Sequence, residues 1–262
     1  MIDAVVRKRL REFADGSAPW LIATDLDGTL APIALHPGDV QLGAATLETL
    51  RELSELAHVA IVTGRDLAAA RALVPVNGVE FVASHGSEAS FSAAALPAFA
   101  PVLLEPLETF ARKVETQFLG EALHVERKAC SLAFHYRANP VLAQRLRVAL
   151  QELPEGFCLQ PGRRVLEVLP VGGGKDTAVA ALVERFRPGS VLALGDDLTD
   201  KAMFQAVHAL QIEGISVLAL AVAGGQETPL EVVEAGDLLV TQPEVTELLS
   251  FLAAALVDPF LA

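Results

Sequence analysis

Five short, nearly unbroken apolar runs alternate with segments of helical period along this chain, and that alternation decides most of what it can fold into. The runs are 20–25 (WLIATD), 58–63 (HVAIVT), 80–84 (EFVAS), 190–195 (SVLALG) and 212–219 (IEGISVLA). Amphipathic patterns lie at 43–57, 66–73, 175–186, 200–209 and 242–256, and MIDAVVRKRLREF (1–13) reads as a further helix. Strands that are apolar on both faces, separated by amphipathic helices, predict a parallel sheet covered on both sides, an α/β architecture. Four runs end in polar residues or glycine: Asp25, Thr63, Ser84, and Gly195 followed by Asp196. In open α/β sheets that carboxyl edge is where ligands bind.

The middle of the chain breaks the pattern. A helix is expected over 101–118, with Leu103, Leu107, Phe110, Val114 and Phe118 on one stripe. Strands at 123–128 and 130–137, a helix at 140–153 and strands at 156–160 and 163–168 follow. This αββαββ order predicts an inserted α+β cap over 89–169, dividing a core made of 1–88 and 170–262. Strand alternation sorts the cap residues by face. His124, Glu126 and Lys128 share one side of their strand. His135 and Arg137 oppose Leu132, Phe134 and Tyr136, while Arg163 and Glu167 oppose Leu166 and Val168. The ordinary reading of such a sheet is one apolar face on helices and one face half in solvent. The functional reading is that the charged face looks down on the carboxyl edge of the other sheet and makes charge-assisted hydrogen bonds to a hydroxyl-rich ligand.

With 262 residues, 52% of them hydrophobic, the chain can bury a large core. Twenty basic against 33 acidic residues give a formal charge of −13. Nucleic acids and anionic membranes attract basic faces, so neither is expected as a partner. Cys130 and Cys158 lack the number and spacing of a disulfide framework or zinc site and read as reduced thiols. No secretion signal is visible, and the most apolar stretch (215–225) is too short to span a bilayer. The expectation is a cytoplasmic protein, with a monomer favoured slightly.

The acids at the sheet edge carry the chemistry. DLDGTL (25–30) puts two aspartates two positions apart, followed by a glycine that lets the chain turn. Asp25 is placed to attack phosphorus as a carboxylate nucleophile, forming an aspartyl-phosphate. Asp27 can then protonate the leaving oxygen and deprotonate the attacking water. Lys175, at the start of a helix, and the Thr63 hydroxyl are placed to hold phosphoryl oxygens. Two unit charges ~4 Å apart repel by roughly 4 kcal/mol at an effective dielectric near 20. That is about three decades in rate, so anionic substrate and anionic site need a cation between them. Mg²⁺ suits a few carboxylates plus a substrate phosphate. Its expected ligands are Asp25, Asp196 and the backbone carbonyl of Asp27, with Asp197 nearby.

Each signal also has a plain structural reading. A D-x-D is often a turn, and Asp197, Thr199 or Asp200 can simply cap the helix after them. PVGGGKDT (170–177) fails as a nucleotide loop, because Leu169 stands where the first glycine is required. The joint order, four signals at successive strand ends, favours phosphoryl transfer. A phospho-accepting signalling module would share the acids and the lysine, but it has no cap.

That order, DLDGTL, VTGRD (62–66), a later lysine and GDDLTD (195–200), resembles the haloacid dehalogenase-like phosphatases. The resemblance implies a Rossmann-like core with an inserted cap of the second type, and Mg²⁺. It also implies Asp25 as nucleophile, Asp27 as acid/base, Thr63 and Lys175 on the phosphate, and Asp196 on the metal. VERKACSLAFHYR (125–137), with ASHG (83–86) and RRVLEVLP (163–170), is similar more narrowly to trehalose-6-phosphate phosphatases. By that resemblance Glu126, Lys128, His135, Arg137, Arg163 and Glu167 would hold the sugar. Arg65, His85 and Gly86 join the substrate-binding set, the last two lying beside the hinge. Two departures from the family's pattern are Asp176 after the lysine and Lys201 after GDDLTD. The expected substrate is trehalose 6-phosphate, with another sugar phosphate such as sucrose 6-phosphate as the alternative.

Overall fold

A computed structural model describes residues 1–34, 37–92, 96, 104–128, 130–162, 164–224 and 228–258. The chain begins with α1 (Ala4–Ala14), β1 (Trp20–Thr24), α2 (Ala44–Leu56), β2 (His58–Val62), α3 (Leu67–Leu73), β3 (Val79–Ala83) and the two-residue β4 (Glu88–Ala89). Next come α4 (Leu104–Gln117), β5 (His124–Arg127), β6 (Leu132–His135), α5 (Ala143–Ala149), β7 (Phe157–Gly162) and β8 (Val165–Pro170). The chain continues through α6 (Lys175–Phe186), β9 (Ser190–Gly195), α7 (Leu198–Ala209), β10 (Ser216–Ala223), α8 (Leu230–Ala235), β11 (Leu238–Thr241) and α9 (Val245–Val257).

The larger sheet runs β11-β10-β9-β1-β2-β3-β4, parallel except for β4, which pairs antiparallel with β3. Successive residues of β1 feed opposite layers, as a two-residue period requires. Ile22 joins the core under α1, α2, α3 and α9, whereas Leu21 and Ala23 join the core under α6, α7 and α8. β1 lies between β2 and β9, so the chain leaves it in one direction and returns on its other side. This is the topological switch point, where connections diverge and open a crevice at the strand ends.

The second sheet, β5-β6-β8-β7, is antiparallel. Its apolar face is the one strand alternation predicts. Leu132, Phe134, Tyr136, Leu166 and Val168 pack against Leu107, Phe110, Val114 and Phe118 of α4 and Leu146 of α5. Phe110 meets Phe134 edge-on with centroids 6.4 Å apart, a favoured aromatic geometry.

Several elements differ from the sequence expectation. The run at 212–219 is strand only from Ser216, because 210–213 form a 3-10 turn that ends at Gly214, with φ 83°. β11, α8 and β4 were not anticipated, being four, six and two residues long, too short to show a period. The helix expected over 140–153 opens as a 3-10 turn at Pro140–Leu142 and is α-helical only over α5. Leu103 lies outside the described residues. Cys130 and Cys158 are both free, and burial raises both thiol pKa values, which disfavours the nucleophilic thiolate. No helix among the described residues is long and apolar enough to cross a membrane.

Candidate active site

The first acid arrives at the end of β1, a strand paired on both sides and buried from its second residue on. The Asp25 N–H donates to the Leu194 carbonyl at 2.9 Å, extending the β1–β9 ladder by one residue, and the Thr24 hydroxyl donates to the Asp25 carbonyl. The chain then folds back on itself, with Ala31 N–H on Leu26 O and Gly28 N–H on Ala31 O. Gly28 has φ +94°, and a Cβ there would collide with the Asp196 carboxylate. Glycine is therefore required for two acids from different strands to approach. Thr29, fully buried, donates its hydroxyl to Asp196 Oδ1 at 3.3 Å.

Lys175 enters from the first turn of α6. Its Nζ donates to Asp25 Oδ1 and to Asp200 Oδ1, each at 2.6 Å, with all three side chains buried. Asp200 Oδ2 accepts the N–H groups of Asp196 and Asp197, both at 3.0 Å. Burial pushes the Asp25 carboxyl up to about 7, against the pull of Lys175 and with a further push from Asp200. Burial alone would lower the Lys175 pKa, but the Asp200 and Asp25 charges outweigh it and hold the ammonium charged.

Carboxylate oxygens of Asp25, Asp196 and Asp200 lie within 4.8 Å of one another. An all-oxygen donor set with an excess of negative charge over its one lysine fits a hard dication such as Mg²⁺. Asp200 is the residue that sequence reasoning missed, having been weighed only as a helix cap. The signal was the i, i+4 spacing from Asp196 across a strand-to-helix turn, which returns the later side chain to the strand end. Asp197, expected beside the cation, is outside this cluster. Its Oδ1 caps α7 by accepting the Leu198 N–H at 2.7 Å. A carboxylate at a helix start faces unpaired N–H groups, and here they claim it.

Asp27 points elsewhere. Arg65 grips its carboxylate with a two-pronged fork, Nε to Oδ2 at 2.6 Å and Nη2 to Oδ1 at 2.7 Å. Thr63 is buried at the end of β2, its hydroxyl accepting the Arg65 N–H at 3.2 Å.

The second sheet supplies the roof. Lys128 Nζ donates to Glu167 Oε1 and to the Gly64 carbonyl, both at 2.7 Å, and so ties one sheet to the other. His85 Nε2 lies 2.5 Å from Glu167 Oε2, a close contact without hydrogen-bond alignment. Burial would raise the Glu167 pKa, but His85 and Lys128 outweigh it and hold the carboxyl well below the usual range. His135 Nε2 pairs with Glu126 Oε2 at 2.8 Å; against the effect of its burial, that bond keeps Glu126 low.

His85 meets Glu167 from a forced stretch of backbone. Ser84 and His85 have φ 48° and 52°, a left-handed conformation that costs a side-chain-bearing residue roughly 1–3 kcal/mol. Bonds from Ser84 N–H to Arg65 O, from His85 N–H to Thr63 O and from the Ser84 hydroxyl to Glu88 offset that cost.

One cleft between the sheets collects these groups. Asp25, Asp27, Thr63, Arg65, His85, Lys175, Asp196 and Asp197 line it from the core side, and Glu126, Lys128, His135, Arg137 and Glu167 from above. Asp200 sits behind that lining. Ile33, Ala34, Val40 and Ala69 add an apolar wall that the sequence reading did not include. Gly86, expected beside the substrate, instead packs against the Gly174 backbone where a Cβ would clash, and it spaces the start of α6. Arg163 lies outside the described residues.

A family model described as trehalose-phosphatase matches residues 23–233. The chain belongs to the trehalose-phosphatase family. Its family members are phosphoric monoester hydrolases, and two curated relatives match it over most of both lengths. The trehalose-6-phosphate phosphatase of Escherichia coli is 30% identical over 220 residues, 79% of this chain and 80% of that one. The probable trehalose-phosphate phosphatase of Sinorhizobium fredii is 30% identical over 207 residues, 76% and 77% respectively. Two Mycobacterium tuberculosis proteins named as uncharacterized glycosyl hydrolases are 32% identical over 78% of this chain, which spans only 16% of their length. The trehalose-phosphatase fold is also seen in the Candida albicans trehalose-6-phosphate phosphatase C-terminal domain, with TM-score 0.76, 24% identity and 95% and 96% of the two chains covered. The Aspergillus fumigatus trehalose-6-phosphate phosphatase aligns with TM-score 0.67 and 25% identity over 97% and 98%.

Proposed function

We propose that the protein hydrolyses trehalose 6-phosphate to trehalose and inorganic phosphate, and that 89–169 form a substrate-selecting cap on a core of 1–88 and 170–262. Asp25 Oδ2 attacks phosphorus while Lys175 holds Oδ1, and the bond from phosphorus to the sugar O6 breaks. Asp27 gives its proton to O6, so trehalose leaves neutral. Water then loses a proton to Asp27 and attacks phosphorus, the bond to Asp25 breaks, and phosphate is released. Asp25 and Asp196, with Asp200 behind them, would hold Mg²⁺, which when bound offsets the charge between substrate and site. Thr63 and Lys175 bind phosphoryl oxygens. Glu126, Lys128, His135, Arg137 and Glu167 face them across the cleft and exchange their mutual pairs for sugar hydroxyls.

The observation that carries this reading is the buried Asp25–Lys175–Asp200 ion triad beneath a roof of paired charges. It is tested by phosphate release from trehalose 6-phosphate, sucrose 6-phosphate and glucose 6-phosphate, with Mg²⁺ and with EDTA. The expected result is the highest kcat/KM for trehalose 6-phosphate, silenced by EDTA and restored by Mg²⁺. Preference for a monosaccharide phosphate would overturn the substrate assignment, and full activity in EDTA would overturn the metal.

A further inference from the structure

We infer that Arg65 is a positioning residue for the acid/base step rather than a substrate ligand. The inference rests on the proposed role of Asp27 and adds a residue that sets where its carboxylate sits. Asp27 is about a third exposed at the cleft and follows Asp25 by two residues in a turn, so β1 does not fix its side chain. The Arg65 fork does. It meets both carboxylate oxygens in the paired geometry that a guanidinium matches and an ammonium cannot.

The fork is itself held on a pinned loop. The Arg65 N–H donates to the Thr63 hydroxyl, and the Arg65 carbonyl accepts the Ser84 N–H at 2.7 Å. The carbonyl before it, Gly64 O, accepts Lys128 Nζ from the second sheet. Both peptide units that carry the arginine are thus tied down. A guanidinium on a fixed mount aims the Asp27 carboxylate with little further entropy loss, in the ionised form that takes the proton of the attacking water. Two of the five guanidinium N–H donors are thus committed to Asp27 before any substrate is bound.

A leaving group that needs no proton separates the two roles. With 4-nitrophenyl phosphate, transfer to Asp25 expels a phenolate directly, whereas hydrolysis of the acyl phosphate still needs Asp27 as base. Rapid-mixing kinetics should therefore show, for Arg65→Lys and Arg65→Ala, a nitrophenolate burst stoichiometric with enzyme followed by slow turnover. With trehalose 6-phosphate, kcat should fall on the order of 100-fold at nearly unchanged KM, the lower end for loss of a proton-transfer group. Lysine keeps the charge and guards against a folding defect, yet loses the fork, so it should rescue little. Asp27→Asn should give the same burst, and Arg65→Ala added to it should slow it no further. A raised KM at unchanged kcat in the Arg65 variants, or no burst in them while Asp27→Asn shows one, would overturn the inference. Absence of a burst in Asp27→Asn itself would instead remove the acid/base role of Asp27, and the inference with it.

Discussion

The two sheets present charge to the same cleft in different ways. At the core edge the innermost acids are buried and tied to the main chain: Asp25 continues a strand ladder, and Asp200 takes two backbone N–H groups. On the cap face charges are paired mainly with one another, as in Glu126 with His135, both partly open to solvent. The first arrangement is preorganised and has no slack, which suits groups that must meet a phosphorus atom. The second can be exchanged, because a sugar hydroxyl can replace a side-chain partner at small net cost. Glu167 and Lys128 lie between these extremes, with side chains under 10% exposed and a backbone tie to the other sheet through Gly64. On this contrast, core substitutions should destroy chemistry or fold, and cap substitutions should change selection.

The largest effect is expected at Asp25. Asp25→Asn should lower kcat by at least ~10³-fold, the scale of losing a nucleophile. It should not destabilise the protein, since burial already disfavours the charge it removes. Phosphate release and a thermal melt check both halves. Retained turnover, with deamidation excluded by mass, would break the proposed division between the sheets.

Lys175→Ala tests the fold side of the same edge. Removing the shared cation leaves Asp25 and Asp200 facing each other in a buried site, and breaking such a pair costs about 3–5 kcal/mol. Urea unfolding measures it. A loss below ~1 kcal/mol would mean that the triad is not closed in solution.

At Glu167 the expectation shifts from chemistry to selection. Glu167→Gln should cut kcat/KM for trehalose 6-phosphate by about 10- to 100-fold, as losing one charged contact does, and should affect 4-nitrophenyl phosphate far less. It should also change the acid limb of stability. The Glu167 carboxyl is held below its ordinary value of 4.5, so its contribution is complete above that pH and is lost as pH falls below it. The melting temperature of the variant should fall less steeply than that of the native protein between about pH 5 and pH 3. Equal slopes would show that the buried pair does not form.

How much of this was legible in the sequence follows the same contrast. β1, β2, β3 and β9 could be read because apolar runs and amphipathic helices are dictated by burial, and burial leaves a period. Their polar ends marked the edge on which the structure assembles its acids. Asp200 was hidden because its side chain does two things: it accepts the N–H groups of the turn before its own helix, and it binds Lys175, 25 residues away. The Ser84–His85 kink was hidden because its left-handed backbone is stabilised by carbonyls of another loop, not by a glycine that a reader would notice. Arg65 on Asp27 is a long-range pair between two loops, and no local spacing encodes it.

The smallest effect is the sharpest test of the cap. Residues 126, 127 and 128 are Glu, Arg and Lys in sequence, and all three could be taken for ligands. Alternation sends Glu126 and Lys128 to the cleft and Arg127 to the other side, where it sits directly opposite Leu132 of the apolar face. There its guanidinium reaches over to α4, with Nε 2.8 Å from Glu108 and Nη2 2.8 Å from Glu115. These pairs are exposed, and exposed ion pairs contribute little to stability. Arg127→Ala should therefore leave kcat/KM within about twofold and lower the melting temperature by no more than a few degrees. A strand slipped by one residue exchanges its faces completely. If Arg127→Ala instead cripples turnover while Glu126→Ala does not, the register of β5 is wrong by one, and the face assigned to the sugar is the wrong face.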